Sequence, residues 1–379
     1  MSRPRVAFVA TVPGAVRAFV RPYLDSLAER YDVTLFVNGT RADLGADFPA
    51  AIAVVPIDLR RPIAPLADLA ALARLVRHFR RGRFDLVHSL LPKAGLLAMQ
   101  AARLAGVPHR LHLFTGQVWA TRSGPMRALL KAIDRRTASA ATLVMADSPS
   151  QRDFLLVEGV ADTVHVIGNG SVCGIDTQRF APDPAAATRL RERAGLPLDA
   201  RIIGFVGRLN RDKGVPELLK AFASAELAEG THLLLFGPDE GGMAAGEKAA
   251  MAPNANIHFM GPTDEVAALL PGMDLFCLPS HREGFGVSVL EASACGVPVV
   301  ASRIYGLTDA VVEHETGWLV APGDVDALAA ALSAAMSDPA ERARRGAAGR
   351  ERAVRDFAVA DFVAEMDRLY AQRLGEGAP

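Results

Sequence analysis

Short runs of Val, Ile, Leu and Phe recur along the chain at intervals that leave room for a helix between neighbours. In the first 170 or so residues they read RVAFVA, DVTLFV, AIAVVPI, FDLVHSL, RLHLF, TLVMADS and VHVIG. Runs that are apolar on both faces and separated by helix-length crossovers imply parallel strands covered by helices on both sides of the sheet. The alternation stops in GIDTQRFAPDPAAATRLRERAGLPLDA and starts afresh with RIIGFVG, HLLLFG, NIHFMG, DLFCLPS and VPVVAS. Two doubly wound α/β domains are therefore expected, with a boundary near residues 171 to 175. A length of 379 residues also favours two cores over one. Such folds hold ligands beyond the carboxyl ends of their strands, so the chemistry is expected in a cleft between the two sheets. The remaining stretch, from DVDALAAALSAAM to ADFVAEMDRLYAQRL, carries apolar residues three and four apart and reads as helix.

Lys plus Arg and Asp plus Glu each number 42, so no global field draws nucleic acid or an acidic surface, and any electrostatic recognition is local. Cys173, Cys277 and Cys295 are odd in number and contain no C-x-x-C pair. That argues against a disulfide framework and a zinc knuckle and fits a reducing cytosol. The opening MSRPRVAFVATVPGAV resembles a short signal peptide, but Pro13 and Gly14 interrupt it and Arg17 and Arg21 follow, which predicts a buried strand entering a turn. No apolar run approaches the roughly 18 to 20 residues that a membrane span requires. The expected location is the cytoplasm.

Two stretches carry candidate chemistry. GFVGRLNRDKG (204–214) ends a strand in glycine and continues into a loop bearing Arg208, Arg211 and Lys213 before the helix VPELLKAFA. A guanidinium and an ammonium at a strand's carboxyl end, beside a helix N-terminus, form an anion site suited to phosphate; a solvated basic turn is the alternative. In SHREGFGVSVLEASACGVPVVAS (280–302), the loop HREGFG leads into a helix whose first turn offers free backbone N–H groups to a diphosphate. Glu283 precedes that helix and Glu291 lies within it, placed to bracket an elongated ligand rather than to share a proton. Each carboxylate can accept two hydroxyl hydrogens, which suits sugar rings and riboses. As a bare spacing the pair is nearly uninformative, and a solvated helix face is the better reading of it.

Taken with VVASRIYGLTDAVVEHETGWLVAPGDVDALAAAL, TVPGAVRAFVRPYLDSLAERYDVTLFV, HSLLPKAGLLAMQAARLAGVPHRLHLFTG and GNGSVCGIDTQRF, these stretches resemble the retaining glycosyltransferases of family 4 over nearly the whole chain. Within that family the likeness is to members that add sugars to lipid-linked carriers in surface polysaccharide assembly. The resemblance implies the GT-B fold of two Rossmann-like domains: an acceptor domain over 1–171, a nucleotide-sugar domain over 172–356, and a terminal helix over 357–379 that crosses back. It implies that Arg208 and Lys213, next to Gly207, grip the donor diphosphate, and that Glu291 holds the ribose. Glu283 then contacts hydroxyls of the transferred sugar, with Phe285 and Gly286 offering backbone donors and Gly284 and Val287 in the same turn. Gly14 corresponds to a loop that lets backbone approach the phosphates, a plain tight-turn glycine being the alternative. His112 matches a histidine near the transferred sugar, against the alternative of a satisfied core histidine. The implied reaction moves a hexose or N-acetylhexosamine from UDP to a lipid-linked saccharide with retention. The departing phosphate itself takes the acceptor's proton, and neither a cofactor nor a metal is needed.

Other patterns count for less. GPDEGGMAAGEK is neither G-x-G-x-x-G nor a P-loop, since Glu247 stands where the latter needs lysine. Asp324 and Asp326 resemble a metal-binding D-x-D but precede an alanine-rich helix, where Asp is ordinary capping chemistry. His109 and His112 lie an odd number apart on one strand and point to opposite faces, which disfavours a shared metal. RLVRHFRRGR (74–83) carries five arginines in ten residues, a basic amphipathic segment suited either to solvent or to anionic headgroups of an inner membrane. Lys93, at the start of the next helix, is then placed to meet an acceptor phosphate. A nucleotide-sugar epimerase, a phosphorylase or a non-catalytic scaffold on the same architecture remain the competing functions.

Overall fold

A computed structural model describes residues 3–60, 64–240, 242 and 256–375. The chain forms two compact units, Met1–Gly174 with Val359–Pro379, and Ile175–Ala358. Glu247, the residue that excludes a P-loop, lies outside the described residues. Helices of eight residues or more are numbered below in chain order.

The first unit is built on a seven-stranded sheet of β1 (Arg5–Ala10), β2 (Asp32–Val37), β3 (Ala53–Pro56), β4 (Leu86–Leu90), β5 (His109–Phe114), β6 (Leu143–Ala146) and β7 (His165–Val166). The spatial order is β3-β2-β1-β4-β5-β6-β7, and each neighbouring pair is parallel. Strand β4 is buried along its whole length and β1 everywhere but its first residue, as helices on both faces require. The crossovers carry α1 (Arg21–Arg30), α2 (Pro65–Gly82), α3 (Pro92–Ala105), α4 (Gly124–Ala140) and α5 (Pro149–Val157).

The second unit holds α6 (Ala186–Ala194), β8 (Arg201–Val206), α7 (Val215–Ser224), β9 (Thr231–Phe236), β10 (Ile257–Gly261), β11 (Leu275–Leu278), α8 (Val287–Ala294), β12 (Val299–Ser302), β13 (Gly317–Val320), α9 (Val325–Ser337) and α10 (Pro339–Asp356). Its six parallel strands run β10-β9-β8-β11-β12-β13. Strand β13 is not legible in the sequence, because its four residues GWLV include a glycine and follow the polar run EHET. Asp324 caps α9 by accepting a hydrogen bond from the Ala327 N–H at 2.9 Å, so the D-x-D resemblance is capping chemistry.

Strand order reverses between β1 and β4 in the first sheet and between β8 and β11 in the second. Loops leaving the carboxyl ends of strands diverge at such a reversal and open a crevice, the usual ligand position in doubly wound sheets.

The final helix, α11 (Val359–Leu374), belongs to the first unit, where it lies against α1. Ser26 Oγ donates to Asp367 at 2.6 Å, and buried Tyr370 hydroxyl meets His88 Nδ1 at 2.8 Å. Burial lowers the His88 pKa to about 3, so the ring is neutral and its tautomer decides which of the two groups donates. Among the described residues no helix is long and apolar enough to cross a membrane. Replacing Tyr370 by Phe leaves His88 Nδ1 buried without its partner, and the expected loss is about 1–3 kcal/mol of unfolding free energy. Urea unfolding should show a lower midpoint at unchanged slope, and an unshifted midpoint would deny the contact any stabilising role.

Candidate active site

Each cation that the sequence singles out near residue 210 is placed by local backbone geometry. Strand β8 ends at Val206, and Asn210 caps the following 3-10 turn by accepting from the Lys213 N–H at 3.1 Å. Gly214 then takes φ +68°, a left-handed conformation, and starts α7. A Cβ at Gly214 would sit 2.0 Å from the Pro279 carbonyl oxygen, so only glycine lets this loop press on the loop that leaves β11. The two loops at the β8/β11 reversal are thereby fixed backbone to backbone.

Side chains join them as well. Lys213 Nζ donates to Glu283 at 2.5 Å, and Ser280 Oγ donates to the same carboxylate oxygen at 2.8 Å. Arg282 pairs with Asp212 at 2.6 Å, and His281 Nε2 lies 3.0 Å from Glu217. Arg208 reaches the loop after β9, donating to Glu240 at 2.6 Å, and Asn210 donates to that same oxygen at 3.1 Å. Two cations and their two carboxylates thus ring the carboxyl ends of β8, β9 and β11. The sequence reading treats Arg208 and Lys213 as cations awaiting a phosphate; in the structure both are held by carboxylates. An ammonium has three donors and a guanidinium five, so each retains N–H groups for an incoming anion.

Phe285 is buried and its ring stands 5.3 Å from Phe357. Gly286, at φ +85°, is the N-cap of α8, and Val287 is its first residue. The first-turn N–H groups of α8 follow directly on Gly284 and Glu283, next to the Lys213 pair. Glu291 is the fifth residue of α8, partly buried, and burial pushes its carboxyl up to about 7 against the opposing pull of Arg179. Gly207 approaches the β9 loop so closely that a Cβ on Gly237 would lie 1.8 Å from the Gly207 carbonyl oxygen.

In the first unit, Gly14 lies in a single exposed helical turn after β1, with nothing within 4 Å of where a Cβ would stand and no positive φ. The turn is closed by the Ala15 N–H on the Val12 carbonyl at 3.2 Å. The chain continues through a π-helical turn, Val16–Val20, into α1. His112 is fully buried on β5, its Nδ1 2.9 Å from Ser89 Oγ, its ring edge-on to Phe114 at 4.4 Å, and its Nε2 without a partner among the described residues. Burial lowers its pKa to about 3, so the imidazole is neutral. The ring lies so tightly on the first turn of α3 that a Cβ at Gly95 would be 2.2 Å from it. Leu91, the residue that leads into α3, has φ +72°, a conformation costly for a leucine. Lys93 is at the start of α3 as expected, but its ammonium is bound to Asp68 at 2.8 Å and little exposed.

Glu240, Ser280, Asn210, Ser89 and Arg179 escape the sequence reading. Asn210 and Ser280 carry a local signal, each bonding to a residue three positions on; Glu240, Ser89 and Arg179 act through contacts distant in sequence.

Two parallel doubly wound units, the second with charged and glycine-rich loops at its strand reversal, are the architecture of the GT-B fold. Residues 14–170 match the glycosyl transferase 4-like domain and residues 187–352 match the glycosyl transferases group 1 domain. The chain is 29% identical to the capsular polysaccharide biosynthesis glycosyltransferase CapM of Staphylococcus aureus, over 84% of this chain and 85% of the relative. It is 32% identical to the alpha-maltose-1-phosphate synthase of Mycolicibacterium smegmatis, over 75% of this chain and 78% of the relative. Anabaena HepE in complex with UDP-glucose superimposes with a TM-score of 0.82 at 20% identity, covering 97% of this chain and 99% of that one. The chain belongs to the group 1 glycosyltransferases with a family 4-like N-terminal domain, and it is a glycosyltransferase.

A buried carboxyl whose pKa rises on folding binds more protons in the folded state between about 4.5 and about 7, so its contribution to stability falls as pH rises through that window. Glu291→Gln should therefore raise the thermal midpoint of the ligand-free protein at pH 8 and leave it unchanged at pH 4. A pH-independent difference between the two proteins would contradict the assigned environment.

Proposed function

We propose that the chain transfers a hexose or N-acetylhexosamine from a UDP-sugar to a hydroxyl of a lipid-linked saccharide, with retention of anomeric configuration. It is further proposed to do so on the cytoplasmic face of an inner membrane, in surface polysaccharide assembly. The observation that carries the reading is the junction of Lys213, Glu283 and the α8 N-terminus at the β8/β11 reversal. Cationic side chains and first-turn amides can neutralise a leaving diphosphate, while the adjoining carboxylates accept hydroxyl hydrogens. In this reading Lys213 bridges Glu283 and the β-phosphate, Arg208 shares its guanidinium between Glu240 and the diphosphate, and Glu291 accepts from the ribose. Neutral His112 uses its unpartnered Nε2 on a hydroxyl of the transferred sugar, and the α8 amides beside Gly284, Phe285, Gly286 and Val287 meet phosphate oxygen.

Charge builds up on the diphosphate as the glycosidic bond breaks, so these groups accelerate the step because they bind the leaving group more tightly than the ground state. The departing phosphate oxygen then takes the acceptor proton on the same face, and no side chain is required as base. With two cations and a helix N-terminus already facing the leaving group, the proposed reaction uses no divalent metal. UDP as the carrier is supported by the nucleotide named in the HepE complex, and a surface glycan acceptor by the relationship to CapM.

Lys213→Ala or Arg208→Ala should lower kcat/KM for glycoside formation by at least about a hundredfold, the effect of losing a charge-stabilising contact in a transition state. Circular dichroism should show the fold intact. Proton NMR of the product should show the donor's anomeric configuration, and turnover should persist in EDTA. Near-normal turnover in either variant, an inverted product, or loss of turnover with chelator would each refute the corresponding part of the reading.

A further inference from the structure

The chain as a whole is neutral, yet between residues 65 and 140 thirteen Lys and Arg face three Asp and no Glu. That span contains α2, α3 and α4, with α3 packed between the other two. Arg80 on α2 donates to the Leu104 carbonyl at the end of α3 at 3.1 Å, and Gln100 on α3 donates to the Arg136 carbonyl on α4 at 2.9 Å. Ten of the thirteen lie on these three helices, so most of the local surplus of positive charge is collected on one helical layer. Lys93 is matched by Asp68, and Arg127 and Lys131 by Glu158. Arg74, Arg77, Arg81, Arg103 and Arg136 make no ion pair among the described residues.

Helix α2 is apolar on two sides. Ala71, Leu75 and Phe79 are buried in the core beneath it. Leu66 and Leu69, a second stripe one turn apart, are 86% and 63% exposed, and Leu104 on α3 is 57% exposed. Leu69, Leu72, Val76 and Leu104 line an open groove of about 470 Å³, and Arg77, Arg80 and Arg81 stand along it. His78, on the same helix, holds its proton less readily than a free imidazole, first through burial and then through Arg77 and Arg81. Apolar side chains bordered by cations, with their one neighbouring acid already paired, match an anionic membrane surface: acyl chains meet the leucines and headgroup phosphates meet the arginines.

We propose that the groove between α2 and α3 is the face by which this protein docks on an anionic bilayer, with Arg74, Arg77, Arg81 and Arg103 on headgroups and Leu66, Leu69 and Leu104 entering the interface. The proposal rests on the reading of a membrane-bound acceptor and adds where the protein sits. It also gives the arginine-rich run a role apart from those of His112 on β5 and Gly14 in the turn after β1.

Purified full-length protein, sedimented with vesicles of phosphatidylcholine alone or mixed with phosphatidylglycerol, tests it. Binding should require phosphatidylglycerol and weaken as salt is raised. Arg77→Glu with Arg81→Glu should weaken it by at least about tenfold, on the scale of reversing two surface charges near headgroups. Leu69→Ser with Leu104→Ser should weaken binding at high salt, where the apolar contact carries a larger share. Both variants change exposed side chains, so thermal unfolding and the thermal shift with UDP-glucose should match the parent. Retention of vesicle binding in the arginine variant, equal binding to uncharged vesicles, or no binding at all would overturn the docking face. The UDP-glucose shift, read separately, reports the donor reading.

Discussion

The second unit depends on two loops being pressed together at the point where its strand order reverses. Gly214 against the Pro279 carbonyl sets the distance, and Lys213 on Glu283 sets the charge. Neither loop could shift without breaking both. With the 3-10 turn capped by Asn210 and the carboxylate of Glu283 also bound by Ser280, the ammonium is held in one place rather than left to sample solvent. A site fixed in advance loses little conformational entropy when an anion arrives, which is how preorganised charge is worth more than the same charge on a mobile side chain.

Carboxylates in a site for an anion look self-defeating, but their positions resolve the difficulty. Glu240 and Glu283 neutralise Arg208 and Lys213 while no ligand is bound, so the unit does not carry a cluster of unbalanced partly buried cations. The proposed donor presents a diphosphate to the cations and hydroxyl groups to the carboxylates, so both halves of each pair find new partners at once. A simple anion satisfies only the cations. Discrimination between a nucleotide-sugar and free phosphate follows from that difference.

Much of the fold is legible in the sequence because buried parallel strands leave continuous apolar runs; every run quoted from RVAFVA to VPVVAS contains a strand. Strand β13 is lost because GWLV is short and opens on glycine, and its partner β12, which supplies the burial, is the part that a local reading cannot see. At the site, Glu283, Glu291, Arg208 and Lys213 stand out by residue type beside helix starts. Their partners do not. Glu240 meets Arg208 across 32 positions and Ser89 meets His112 across 23, and no periodicity encodes such pairs. Lys93 likewise stands out at a helix start, whereas Asp68, which binds it from 25 positions earlier, does not.

The central claim is that the Lys213–Glu283 junction and the first turn of α8 hold a sugar nucleotide's pyrophosphate. A crystal structure of the protein with an intact UDP-sugar tests this most directly. The account predicts pyrophosphate oxygens within hydrogen-bond reach of Lys213 Nζ and the α8 amides, with the uracil-bearing end toward Glu291 and the hexose toward Glu283. A nucleotide bound elsewhere, or bound there with its pyrophosphate turned away from Lys213, would contradict it.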